Sequence, residues 1–466
     1  MSDETKVEPS SFRDNFGNVF YYNERVIRTV NSIAKKNYEF IRDSQILSKS
    51  IQDKYLINTV QLDKKEFGDE FSKTAYLLES DLIPHISYPY EWSFEQLKAA
   101  ALHHLKFQLF LFSHDAILRD ASAYNIQFIG SEPIFIDVLS IRKYIDGEYW
   151  LAYGQFCKNF LNPLLLRAVK GVPHNDWFRG ALEGIETIEL NRLLNIKDKI
   201  SWKVLSHVVL QARLIQKTIN NPKVISKKVK HLKKFSKNSY KGILLQLFNW
   251  IENLSLKKNK TIWQDYSKTN TYKLEEFEKK KEIVNQFVYK IKPQVLIDLG
   301  CNTGEFSIES LKNGANYVVG YDFDHNAIDE AFKLSKLKKL NFLPLFFDAS
   351  NPSPNQGWMQ EERKGFNERN RGRALIALAF EHHLAIAKNI PLEAIIKWIT
   401  NLAPVGLIEF VPKEDETIKT MLENREDIFD TYNQINFEKI LSNKAKIIMK
   451  EIISDSERTI YEFKTL

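Results

Sequence analysis

The chain has 466 residues, of which 44% are hydrophobic and 27% charged. That is enough apolar material for two or three cores of ordinary size, and it excludes wholesale disorder. The net charge is +7 and there are two cysteines, Cys157 and Cys301, too few for a disulfide framework or a Cys-rich zinc site.

The first residues are polar and acidic, without the basic start and apolar core of a secretory signal. The most apolar window, Ala101 to Leu118, is broken by His103, His104, Lys106, Gln108, His114 and Asp115, so no membrane span is predicted. A cytoplasmic protein is expected.

Residues 1–150 read as an α+β domain. Val19–Tyr22 turns at Asn23-Glu24 into Val26-Ile27, a hairpin, and helical periodicity follows. Further on, Asp120 is followed by Asn125, and Asp137 closes the next short strand twelve residues later. This spacing resembles the catalytic loop of protein-kinase-like and aminoglycoside-phosphotransferase-like enzymes. The resemblance implies that Asp120 handles an acceptor hydroxyl while Asn125 and Asp137 hold magnesium against nucleotide phosphates. The sequence departs from that pattern in three ways: Val138-Leu139 replaces Phe-Gly, no Gly-rich loop surrounds Gly17, and the nearest cation after the hairpin is Arg28. Asp120 and Asn125 also fit a plainer role as turn formers.

Residues 151–258 read as mostly helical and basic. From Lys199 through Ile251 there is no Asp or Glu, while Lys223, Lys227, Lys228, Lys230, Lys233, Lys234, Lys237 and Lys241 cluster. Such a surface attracts anions such as nucleic acid, acidic glycans or lipid head groups. No aromatic or Arg pattern for base readout accompanies it, so a solvated helical surface is favoured over nucleic acid. Leu254–Lys260 reads as a linker.

From residue 259 to 466 strands and helices alternate, which implies a parallel sheet covered by helices. The apolar run Val295–Leu299 enters a turn with Gly300 and Gly304, and a helix is predicted from Glu305 to about Lys312. A second strand ends in Asp322, 18 residues after Gly304, and a third, Phe342–Phe347, ends in Asp348. A carboxylate at Asp322 suits a pair of ribose hydroxyls, and Asp348 is placed to meet an adenine amino group. Three acids at three successive strand ends are hard to obtain from packing alone. A nicotinamide-binding turn would need Gly-x-Gly-x-x-Gly, and the sequence has Gly300-x-x-x-Gly304.

These residues resemble the class I S-adenosylmethionine-dependent methyltransferases. Asp298, Gly300, Asn302, Thr303 and Gly304 match the first cofactor motif, with Asn302 at the family's middle glycine; Asp322 matches the ribose-binding position and Asp348 the adenine-binding one. The resemblance implies S-adenosyl-L-methionine as cofactor and a seven-stranded Rossmann-like sheet. Its later strands are expected at Leu375–Phe380 and Leu407–Val411, with a closing pair at Lys446–Met449 and Thr459–Phe463. It also puts the methyl acceptor beside the fourth strand's end, at Glu381, His382 and His383. There His382 or His383 is expected as general base, and Glu381 as its orienter or a substrate contact. No metal is expected, because adjacent His side chains diverge in a strand.

The run Glu381–Ile386, together with Pro391-Leu392 and Ile408–Asp415, resembles bacterial methyltransferases of nodulation-factor and surface-polysaccharide gene clusters. That leans toward a glycan or other small hydroxylated acceptor. Absence of an Asn-Pro-Pro-Tyr motif leans away from adenine or glutamine N-methylation. Tyr266 and Tyr272 are candidates for a lid, or for packing. Two alternatives remain open: a bifunctional kinase–methyltransferase acting on a glycan, and an RNA or protein methyltransferase recruited by the lysines.

Overall fold

The computed structural model describes residues 5–220, 234–256, 274–423 and 425–466. Two sheets dominate it. The first is antiparallel: β1 (Thr5–Val7), β2 (Val19–Tyr22), β3 (Arg25–Val30), β4 (Thr59–Leu62) and β5 (Tyr76–Ser80), in the order β1-β2-β3-β5-β4. The β2–β3 hairpin turns through Asn23 and Glu24, both at positive φ.

After the first sheet comes the helix Phe94–Ser113, started by a reciprocal cap in which Ser93 and Gln96 exchange side-chain-to-backbone hydrogen bonds. Two short antiparallel pairs follow: β6 (Ala116–Leu118) with β9 (Ile141–Lys143), and β7 (Ile126–Ile129) with β8 (Glu132–Phe135). Residues 153 to 220 are then largely helical, with several widened π-turns.

The second sheet holds β10 (Leu296–Leu299), β11 (Val318–Asp322), β12 (Phe342–Phe346), β13 (Ala374–Ala377), β14 (Val405–Phe410), β15 (Ala445–Ile452) and β16 (Thr459–Thr465). Their order is β12-β11-β10-β13-β14-β16-β15. The first five are parallel, and β16 and β15 close the edge antiparallel. β10 and β13 are buried at every position, as parallel strands covered on both faces must be. Pro344 sits in β12, an edge strand, where a missing N–H leaves no ladder bond unmade.

The two halves pack on each other through polar contacts as well as apolar ones. Arg369 forms a buried ion pair with Glu91 and donates to the Ile86 carbonyl at 2.7 Å. The His85 ring bridges Arg373, at 2.8 Å on Nδ1, and the Tyr321 hydroxyl, at 2.9 Å on Nε2. A guanidinium only donates, so Nδ1 accepts and Nε2–H donates to Tyr321, whose own proton then goes to Asn370 at 3.1 Å. The Gly130 N–H donates to the Tyr317 hydroxyl at 2.9 Å, and Phe128 meets Phe332 edge-on at 5.8 Å. One hydrophobic cluster accordingly runs from Val30 to Phe463.

Candidate functional site

The bend after β10 is built from residues in left-handed conformations: Gly300 at φ +80°, Asn302 at +48° and Gly304 at +90°. Asn tolerates that region better than other non-glycine residues, which explains how it serves in a glycine's place. Gly304 has a second constraint, since a Cβ there would lie 2.4 Å from the Phe342 ring on β12. At Gly300 a Cβ would meet the Phe380 ring at 3.3 Å, so backbone and loop lie close together on the crevice side.

The three acids lie at the carboxyl ends of neighbouring strands: Asp298 one residue before the end of β10, Asp322 closing β11 and Asp348 two residues past β12. Asp298 is buried and accepts from the Ser307 hydroxyl at 2.6 Å; burial, with Asp322 nearby, pushes its carboxyl up to about 7. Asp322 accepts from the Asn302 N–H and the Asp324 N–H, both at 2.8 Å, and burial raises its pKa as well. Asp348 accepts from the Ser350 N–H at 2.9 Å and its hydroxyl at 2.6 Å. Thr303 is half-buried within the same bend.

Aromatic faces that sequence reasoning missed stand beside Asp322. Phe323 is exposed, Phe346 stacks on His325 at 4.1 Å, and the Lys388 ammonium reaches over Phe323 at 5.7 Å. An apolar ring directly after a strand-end acid was the available signal. Lys388 ties the second strand's end to the loop after the fourth, so the crevice spans both.

That loop departs from expectation. The fourth strand stops at Ala377 rather than Phe380, Ala379 turns at φ +47°, and His382 and His383 open a helical turn over His383–Ala387. Their rings therefore lie close together, centroids 4.2 Å apart and tilted by 36°, instead of diverging. The cause lies beneath: the buried Glu409 carboxylate on β14 accepts from the Ala379 N–H at 2.9 Å and from Lys280 at 2.7 Å. Beside it Arg458 grips Asp415 with two bonds of 2.6 Å.

Glu381 is fully buried, its Oε1 taking the Tyr432 hydroxyl at 2.7 Å and the Val411 N–H at 3.3 Å. Burial pushes its carboxyl up to about 8. Oε2 of Glu381 and Nδ1 of His382 are buried without a hydrogen-bond partner. Burial holds His382 far below the ordinary imidazole range; His383 keeps part of its surface open to solvent, while the protein packed around the rest of its ring, with Arg458 nearby, lowers it too. Both imidazoles are thus neutral near pH 7, the state a base must start from. Among the described residues no three His, Cys, Asp or Glu side chains are grouped to hold a metal.

The N-terminal acids also come together. Asp120 accepts from Asn125 at 3.0 Å and from the Ser140 hydroxyl at 2.5 Å, and burial with Asp137 nearby pushes it up to about 6. Arg28 bridges Asp137 at 2.8 Å and Asp14 at 2.5 Å. Asp14 and Ser140 were not foreseen, because both are brought in by tertiary contact. Tyr266, Tyr272 and the lysines from Lys223 to Lys233 lie outside the described residues. Of the lysines described, Lys237 pairs with Asp115 at 2.6 Å.

Fold and site define a mixed α/β protein with an acid-rimmed crevice at the carboxyl ends of its parallel strands. No protein-family model matches the chain. It is 44% identical over 455 residues to the nodulation protein NoeA of Rhizobium meliloti (strain 1021), covering 97% of this chain and 95% of that one. The chain belongs to the family of that nodulation protein, in accord with the nodulation-type resemblance read from the sequence.

Among solved structures, PH0226 protein from Pyrococcus horikoshii OT3 aligns with 43% of this chain and 99% of its own, at 15% identity and TM-score 0.31. The N-methyltransferase NodS from Bradyrhizobium japonicum WM9 aligns with 41% of this chain and 96% of its own, at 11% identity and TM-score 0.30. WbdD aligns over 40% of each chain, at 17% identity and TM-score 0.28.

Proposed function

We propose that the protein is an S-adenosylmethionine-dependent methyltransferase that methylates a hydroxylated small molecule or glycan. The observation that carries the reading is the side-by-side placement of Asp298, Asp322 and Asp348 at the ends of β10, β11 and β12, around the Gly300–Gly304 bend. The seven-stranded sheet with its antiparallel closing pair supports it as a Rossmann-like methyltransferase sheet.

The residues present fit the cofactor. The glycine bend leaves backbone exposed where a Cβ would crowd Phe380, and the donor set is anionic, suited to ribose hydroxyls and a cationic sulfonium. When bound, S-adenosylmethionine supplies an electrophilic methyl group. Asp322 would hold the ribose and Asp348 the adenine amino group, with Asn302, Thr303 and Gly304 forming the bend. Methyl transfer is an in-line displacement, so orientation of the acceptor does most of the work.

His383, exposed and neutral, is the group we assign to take the acceptor's proton. The His382 ring packs against it at a tilt, and buried Glu381 braces the turn through Tyr432 and Val411. The glycan lean comes from the resemblance of Glu381–Ile386, Pro391-Leu392 and Ile408–Asp415 to methyltransferases of nodulation-factor and surface-polysaccharide gene clusters. Two buried unpaired thiols, Cys157 and Cys301, support a reducing cytoplasmic location. No helix among the described residues is long and apolar enough to cross a membrane. On this reading the chain divides into three functional units, 1–150, 151–258 and 259–466.

Calorimetry with S-adenosylmethionine tests the reading. Asp322→Ala should weaken binding by about 100-fold, as expected for two hydroxyl bonds to a charged group; unchanged affinity would refute it. Mass spectrometry of surface glycans with and without the protein should then show loss of a methyl increment of about 14 daltons from one species.

A second reading, a bifunctional kinase–methyltransferase, is favoured by one observation: Asp120, Asn125 and Asp137 share a cluster facing Arg28. Magnesium-dependent ATP binding lost in Asp137→Ala supports it, and no ATP binding by the intact chain removes it.

A further inference from the structure

Away from both clusters, a helical corner presents large apolar side chains to solvent. Ile196, Ile200 and Trp202 are 84%, 75% and 67% exposed, and Leu193 stands beside them at 44%. The short helix Ile196–Lys199 buries none of its residues. Its neighbours do bury theirs: Thr187 and Leu190 in the helix Thr187–Leu193, and Val204 in Trp202–Val204. So the corner is anchored on both sides and bare at its tip. It is also well formed, since Asn195 caps the helix by accepting from the Asp198 N–H at 3.0 Å while Asp198 accepts from the Asn195 N–H at 3.1 Å. Three large apolar side chains within seven residues on one exposed corner call for a partner.

The charge around them narrows that partner. Residues 192–203 carry four basic side chains, Arg192, Lys197, Lys199 and Lys203, against one acid, Asp198. Asp198 is already compensated by Lys170 at 3.2 Å. On the N-terminal side Glu186 is paired with Lys158, leaving exposed Glu189 as the nearest other acid. On the C-terminal side the chain then runs to Ile251 without a carboxylate.

Exposed Ile196, Ile200 and Trp202, interspersed along the chain with Arg192, Lys197, Lys199 and Lys203, suit the layering of a bilayer surface. There the tip meets the acyl boundary, and ammonium and guanidinium groups meet anionic head groups. The geometry points to this corner as a peripheral attachment site for an anionic lipid surface, with Ile196, Ile200 and Trp202 inserting and Arg192, Lys197 and Lys203 gripping phosphates. Attachment of this kind needs no spanning segment, and binding is reversible. The site would hold the protein where lipid-linked or membrane-apposed acceptors are found.

The test uses the full chain with vesicles of phosphatidylcholine alone or mixed with phosphatidylglycerol. The protein should co-sediment with the mixed vesicles, stay soluble with the neutral ones, and be released by high salt. The triple variant Ile196→Ser, Ile200→Ser, Trp202→Ser should partition at least about tenfold more weakly. Its S-adenosylmethionine affinity and circular dichroism should match the parent, since the corner buries nothing at the tip. Quenching by lipids carrying a spin label in the acyl chain should be present in the parent and reduced in Trp202→Phe. The proposal is overturned if neither vesicle is bound, or if the triple variant binds as well as the parent. It is equally overturned if sedimentation velocity shows the corner joining two copies of the chain.

Discussion

In the C-terminal crevice Asp322 and Asp348 are held by N–H and hydroxyl donors, whereas in the N-terminal cluster Asp137 and Asp14 share the guanidinium of Arg28. Uncharged donors orient a carboxylate and leave its charge in place; a guanidinium orients and neutralises it. The crevice therefore keeps a negative rim able to receive hydroxyls and a cation. In the other cluster any divalent cation must compete with a cation the chain already supplies. Two acid clusters with similar residues thus differ in readiness, and the difference comes from which donors the fold brings to them.

The largest way to break the comparison is to separate the two regions. Arg369→Met leaves Glu91 charged and buried without its partner, and should destabilise the chain by about 3–5 kcal/mol in urea unfolding. Because the ion pair joins both halves, a single shifted transition is expected; two transitions, with the N-terminal half unmoved, would mean that the clusters sit in independent bodies.

Next in size is the buried floor. The folded Glu381 carboxyl is raised to about 8, above the roughly 4.3 of an unfolded glutamate. Its stabilising effect is full below the unfolded value and is lost as pH rises toward 8. Glu381→Gln should flatten the fall in stability between about pH 5 and 8 by an amount on the order of 3 kcal/mol. Parallel slopes for parent and variant would show that Glu381 is ionised already.

A smaller effect sharpens the claim about the negative rim. The Asp298 carboxyl, raised to about 7, ionises as pH climbs from 6 to 8, and a cationic sulfonium favours the ionised form. S-adenosylmethionine affinity should rise by up to about tenfold across that range and level off above it, and Asp298→Asn should remove the rise. Smallest is the converse experiment at the other cluster. Arg28→Gln removes the competing cation, so magnesium affinity measured by calorimetry should increase by about two- to fivefold. No change would mean that Asp120, Asn125 and Asp137 are there for the turn alone.

The crevice was legible because its signals are short in range. Gly300, Asn302 and Gly304 take left-handed conformations that few other residues adopt, and Asp322 and Asp348 each follow an apolar run that can hardly be anything but a buried strand. The helix Glu305–Lys312 begins at the second glycine and ends before Gly314. The loop after the fourth strand was not legible in the same way. Leu375–Phe380 is apolar throughout, so nothing local marks a stop at Ala377. The stop is imposed by Glu409, 30 positions on, whose carboxylate takes the Ala379 N–H. The close approach of the His382 and His383 rings follows from that turn.

The amino-acid order alone determined the bend, the strand-end acids and the helix behind them, because backbone conformation and strand burial act over a few residues. Only the tertiary structure decided which acids are neutralised, where the fourth strand ends, and that the two halves share one packed interior. Those outcomes depend on partners tens to hundreds of residues apart, such as Lys280 with Glu409 or Glu91 with Arg369. Charge pairing and desolvation are set by distance in space, which the order of residues does not contain until the chain has folded.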